Sequence, residues 1–189
     1  LPNNVRLHPV SPDVTCIADG INAVLDSFNA IGIQAPTGFG KTHFTLHDVL
    51  SRVSQTGGKM LILGNRVACS YQVKLEALEL VAPSEIGDQT PKGLLKRTDF
   101  GPVKIMTLQA LDSFLATPEG KKYAKEVSVL VVDEVHYFVA DVSFNPTAAR
   151  LLKVIPQLFN KATRIYMTAT FDDVLRPLAE AEAKADRPL

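Results

Sequence analysis

Short apolar runs alternate with amphipathic stretches along the chain. That alternation predicts repeated strand-helix units and an α/β fold in which helices cover both faces of a mostly parallel sheet. Residues 31–35, 59–64, 103–107, 127–133 and 163–168 read as strands, each a short apolar run of the kind that a strand buried on both faces carries. Between them apolar positions recur at helical spacing. Ser11-Pro12-Asp13 opens one such stretch, with Ile17, Ile21, Val24, Leu25 and Phe28 along one side. A second follows Gly40 and carries Leu46, Val49, Leu50 and Val53; a third covers 66–81 and is closed by Pro83; three more lie near 108–116, 146–159 and 172–184. Residues 84–102 break this rhythm. Their glycines and prolines, interspersed with Lys92, Lys96 and Arg97, predict a surface excursion within one domain spanning 1–189.

Composition narrows the class without altering that picture. The 189 residues are 46% hydrophobic and 21% charged, which is ordinary for a globular protein and excludes the disordered and collagen-like classes. No run approaches the ~18 consecutive apolar residues of a membrane span, and the first residues lack a basic segment followed by an apolar one, so a cytoplasmic location is expected. Twenty basic side chains balance twenty acidic ones, so any attraction for nucleic acid must be local. Cys16 and Cys69 have no second Cys or His at a metal-ligand spacing and read as reduced structural residues. His43 and His47 are four apart on a predicted helix, but with no third ligand they read as surface side chains.

The chemistry concentrates in two places. Ala35-Pro36-Thr37-Gly38-Phe39-Gly40-Lys41-Thr42 lies between an apolar strand and an amphipathic helix, the setting of a phosphate-binding loop. Gly38 and Gly40 let the backbone curl so that its N–H groups face phosphates, and the helix adds its positive end. Lys41 is expected to reach the β and γ phosphates of ATP, and Thr42 to offer a hydroxyl to Mg2+. The general motif G-x-x-x-x-G-K-[ST] is not fully met, because Ala35 stands at its first glycine. The form A-x-T-G-x-G-K-T resembles the loop of superfamily 2 helicases. Without its setting the segment could be an ordinary glycine-containing turn beside a solvated lysine.

The second place is Asp133-Glu134, at the end of the apolar run 127–132 and so at the edge of the sheet where ligands bind. Asp133 is expected to hold Mg2+, and Glu134 to orient and deprotonate the water that attacks the γ-phosphate. An acidic pair at a strand end is commonplace on its own; downstream of a phosphate loop it carries more weight. Asp-Glu-Val-His (133–136) is similar to the DExH box of the same helicases, and the resemblance makes His136 the link between nucleotide and nucleic-acid sites. Met167-Thr168-Ala169-Thr170 resembles the family's S/T-A-T motif, which gives Thr168 and Thr170 a coupling role. Those threonines could equally cap the helix near 172.

Two looser matches concern a bound strand. Arg66, in Gly64-Asn65-Arg66, and Thr107 with Gln109, in the T-x-Q-x-L segment 107–111, fall where the family contacts phosphate and sugar without reading bases. Both segments could instead be helix caps, with Arg66 solvated.

The resemblance runs from about Ile31 to Leu178 and implies a P-loop NTPase with a RecA-like three-layer sandwich. It further implies ATP and Mg2+ as cofactors, single-stranded DNA or RNA as partner without sequence preference, and a second RecA-like domain that supplies arginines to the γ-phosphate. Arg176 and Arg187 lack the context for that role, so the expectation is a first domain. No adenine-reading glutamine precedes the loop, because Gln34 lies within the first strand. The expected activity is an ATP-dependent helicase or translocase. A helicase-nuclease motor and a nucleotide-dependent switch that does not translocate are the alternatives.

Overall fold

In the computed structural model, which describes residues 5–7, 17, 28–64, 67–137 and 146–185, five strands pair into one sheet. They are β1 (Ala30–Gln34), β2 (Lys59–Gly64), β3 (Val103–Thr107), β4 (Val127–Val132) and β5 (Thr163–Thr168). Their order is β1-β5-β4-β2-β3, and every pairing is parallel. Parallel neighbours need crossover connections, and helices supply them. Helix α1 starts at Lys41–His43, loosens into a π-helical stretch at Phe44–Val49 and tightens again at Leu50–Gln55. α2 (Val67–Val81), a 3-10 turn at Pro83–Asp88 and α3 (Pro91–Lys96) lead from β2 to β3. α4 (Leu108–Leu115) and α5 (Pro118–Glu126) lead to β4, α6 (Pro146–Leu158) lies between β4 and β5, and α7 (Leu175–Ala183) follows β5.

Successive strand residues point to opposite faces, so each strand feeds two cores. Leu61, Leu63, Leu130, Val132 and Tyr166 pack with side chains of α4 to α7. Met60, Ile62, Ile105, Val131, Ile165 and Met167 pack on the other face with α1, α2 and α3. At about 1.5–3 kcal/mol for each fully buried aliphatic side chain, this two-sided burial is what holds the layers together. Among the described residues no helix is long and apolar enough to cross a membrane.

Three of the five strands match their expected bounds, β4 ends one residue earlier, and β1 runs one residue earlier at both ends. The segment 84–102 lies largely on the surface as expected, but it is regular and anchored. Thr90 caps α3 by accepting a bond from Gly93 N, with Pro91 in the first turn, and Leu94 and Phe100 are buried. Residues 98–100 then run antiparallel along the outer edge of β3, with Ile105 N donating to Thr98 O and Phe100 N to Val103 O, which covers an edge that would otherwise be open. Helix α5 was not anticipated and starts the same way, with Thr117 accepting from Gly120 N ahead of Pro118. Thr-Pro is a start signal at both places, because the hydroxyl satisfies a free N–H and proline has none to leave unpaired. Of the stretch expected after Ser11, only Ile17, which is buried, and Phe28 are described; the remainder lies outside the described residues, as do Cys16, Arg66 and Arg187.

Candidate nucleotide-binding site

The connection after β1 leaves toward one face of the sheet, where α1 packs, while those after β4 and β5 lead to α6 and α7 on the other. Chains that part in opposite directions open a crevice at the C-terminal ends of the strands. Residues 35–40, Asp133-Glu134 and Thr168 all lie at that end.

The loop closes on itself as its motif predicts. Gly38 and Gly40 adopt left-handed backbone conformations, with φ of 84° and 79°, and a Cβ added at either would have no neighbour within 4 Å. Backbone conformation, not crowding, therefore demands glycine here. Pro36, Thr37 and Gly38 are exposed, and Phe39 packs its ring against the core under α1. Gly40 ends the loop as the N-cap of α1, and Thr42 is half-buried in the first turn of that helix. Lys41 folds back, its Nζ donating to Ala35 O at 3.0 Å and to Pro36 O at 3.4 Å. The same ammonium lies 3.6 Å from Glu134 Oε1.

The acidic box is threaded between two strands. Asp133 N donates to Leu63 O and Val135 N to Met167 O, both at 2.9 Å, so the chain switches from the β2 side to the β5 side across Glu134. Glu134 makes the switch at φ 54°, in a left-handed conformation that costs a non-glycine residue about 1 kcal/mol. Its N–H is held by Asp133 Oδ1 at 3.0 Å. Burial, and then the neighbouring Glu134 carboxylate, push the Asp133 carboxyl above its ordinary range, with Lys41 opposing them. Glu134 Oε2 is buried without a hydrogen bond, and His136 Nδ1 lies 3.3 Å from it.

His136 joins the box to β5. Its Nδ1 lies 2.9 Å from Thr168 Oγ1, whose own proton is used on Thr170 O at 2.8 Å. The hydroxyl must therefore accept from the ring, which fixes the proton on Nδ1. Thr170 N also donates to Thr168 Oγ1, at 3.2 Å, while the Thr170 hydroxyl donates to Asp172 Oδ2 at 2.7 Å. The two threonines thus differ: Thr168 is buried and meets His136, whereas Thr170 is exposed and organises the turn before α7.

The remaining candidates stand apart. Thr107 caps α4 by accepting from Ala110 N at 3.2 Å, and Gln109 is exposed in the first turn of that helix. β3 is the far strand from β1, four strand steps or roughly 19 Å across the sheet edge at ~4.8 Å per step. The rings of His43 and His47 stack at 4.3 Å and His47 Nε2 meets Glu76 Oε1 at 2.9 Å, yet no group of side chains among the described residues suits a metal ion. Arg97 is paired with Glu85. Sequence reasoning missed Gln34, whose side chain accepts a bond from Phe171 N at 3.3 Å; a polar residue closing an apolar strand was the available signal.

Open left-handed glycines at a helix start suit a polyanion, and two crowded carboxylates, one buried oxygen unpaired, suit a cation beside it. ATP with Mg2+ fits this set of groups. The crystal structure of the UvsW helicase from bacteriophage T4 resembles this chain with a TM-score of 0.55 at 16% identity, over 81% of this chain and 51% of that one. The fold is accordingly the RecA-like arrangement of helicases, and the chain spans about half the length of the UvsW chain. Comparison with curated proteins gives no match. The DEAD/DEAH box helicase family model matches residues 17–178, which includes the loop, the acidic box and Thr168. On that match over most of its length, the chain belongs to the DEAD/DEAH box helicase family.

Proposed function

We propose that this domain binds and hydrolyses ATP with Mg2+ as the first RecA-like half of a DExH-type motor, one that moves along or unwinds DNA or RNA. A second RecA-like domain of the same full-length protein would complete the site. The observation that supports this most directly is the continuous line of side chains from Lys41 through Glu134 and His136 to Thr168.

In this reading the N–H groups of 37–42 and the start of α1 hold the phosphates, and Lys41 exchanges its backbone carbonyls for β and γ oxygens. The Thr42 hydroxyl and Asp133 would hold Mg2+, which neutralises charge on the phosphates when bound. Glu134 orients the attacking water and takes its proton. His136, 3.3 Å from Glu134 Oε2 and bonded to Thr168, lies between that carboxylate and β5 and would pass its movement on. Arginines of the second domain are worth ~10³ to 10⁵ in rate in related phosphoryl transfer, so this domain alone should hydrolyse ATP slowly.

Calorimetry on folded samples tests the nucleotide site. Lys41→Ala should weaken Mg-ATP binding at least about tenfold, or ~1.4 kcal/mol, and equal affinities would remove the claim. In the full-length protein Glu134→Gln should retain ATP binding and lose at least ~10² in turnover, since an amide can hold a water but cannot accept its proton. Unchanged turnover would reject Glu134 as the base.

A further inference from the structure

Gln34 closes β1 and immediately precedes the phosphate loop. On the ladder it is in register with Thr168, and the next peptide continues the pairing, Ala35 N donating to Thr168 O at 3.0 Å. Beyond that point the strands separate: the chain from β1 turns into the loop, and the chain from β5 turns through 169–174 toward α7. The Gln34 side chain spans the gap. Its Oε1 accepts from Phe171 N at 3.3 Å, past the last backbone pair.

Phe171 is seated a second time, two residues back along the same face of β1. Its ring reaches to 3.0 Å from where a Cβ on Gly32 would lie, so a side chain there would press the ring away from the strand by a few tenths of an ångström. Phe171 O in turn accepts from Val174 N and Leu175 N, which starts α7. The segment after Thr168 is therefore docked on β1 by one aromatic ring and one side-chain acceptor.

We infer that Gln34 is a positioning residue that transmits the state of the phosphate loop to the 169–175 segment. The inference rests on the proposed nucleotide site. Movement of the first loop peptide shifts Gln34, and with it the amide that anchors the turn between Thr170 and α7. This route reaches the segment at Phe171 from the β1 side, whereas the one through Glu134, His136 and Thr168 meets it at Thr170.

Hydrogen exchange read by mass spectrometry over 169–175, with and without Mg2+ and the non-hydrolysable analogue adenylyl imidodiphosphate, tests it. The samples are the wild type, Gln34→Met, which keeps length but not the acceptor, and Gln34→Glu, which keeps the acceptor. Calorimetry with the same nucleotide runs in parallel. In the wild type and Gln34→Glu the nucleotide should slow exchange in this segment at least about threefold. In Gln34→Met the segment should exchange faster in the free protein and fail to respond, although calorimetry still reports binding. A wild-type response in Gln34→Met, or an equal loss in both variants, overturns the inference and leaves the nucleotide site standing. Absence of binding by the wild type removes the site and the link together.

Discussion

Asp133 and Glu134 share one edge of the sheet, and their proximity carries an energetic consequence in the ligand-free protein. Burial and the adjacent carboxylate raise the Asp133 pKa in the folded chain, so the fold holds that proton more tightly than the unfolded chain does. A raised folded value means that stability from this group is fully present below the ordinary aspartate pKa of ~3.9 and is lost as pH rises through the folded value. Ionisation of Asp133 is thus destabilising, and a cation beside it would relieve the cost. Asp133→Asn keeps an oxygen to accept from Glu134 N and removes the charge. By thermal denaturation the ligand-free variant should melt a few degrees above the wild type at neutral pH, with the gap closing in acid. An equal or lower midpoint at neutral pH would contradict the charge-crowding account.

At the scale of elements, β5 is tied to α7 by an ion pair with almost no access to water. Arg164 Nε and Nη2 donate to the two oxygens of Glu182 at 2.8 and 2.6 Å, and both side chains are 1% exposed. Arg164 Nη1 donates to Phe159 O and Ala162 O, and the Tyr166 hydroxyl donates to Glu182 Oε1 at 2.6 Å. Burial first, and then this carboxylate, push the Tyr166 hydroxyl well above its ordinary pKa. Every oxygen and nearly every donor has a partner, so breaking one side leaves a stranded charge. Glu182→Leu should cost about 3–5 kcal/mol in chemical denaturation, while Arg164→Met with Glu182→Leu should recover most of it. A double variant no more stable than the single one would show that packing, and not the stranded guanidinium, sets the loss.

For the whole molecule, the parallel sheet brings all five strand ends to one side, and Thr107 and Gln109 lie on that side at the end far from the phosphate loop. A strand crossing there would meet polar groups on several elements, and the chain as a whole, with basic and acidic residues in balance, adds no long-range positive field. With the Thr107 hydroxyl already engaged as a helix cap, less of that edge is free to bind than its composition suggests. This domain alone should therefore bind labelled single-stranded oligonucleotides weakly, with no sequence preference, and more weakly as salt rises. Fluorescence anisotropy measures each point, and tight, salt-insensitive or sequence-selective binding would be inconsistent with backbone tracking.

The sequence by itself determined the features that are local in the chain. A phosphate loop is eight consecutive residues, so its glycines, lysine and threonine are legible without knowing what surrounds them. Strands buried on both faces announce themselves as apolar runs, and the sheet follows from five of them. The helices at Pro91 and Pro118 were also written locally, in Thr-Pro pairs whose spacing from the neighbouring elements hid them. Only the tertiary structure decided the strand order, since an apolar strand buries equally well beside any neighbour. That order brings Lys41 to Glu134, sets His136 against Thr168 and lays Gln34 against Phe171, while the packing of α7 back on β5 buries Arg164 on Glu182. Each of these contacts joins residues far apart in the chain through directional bonds, and no periodicity records a direction in space.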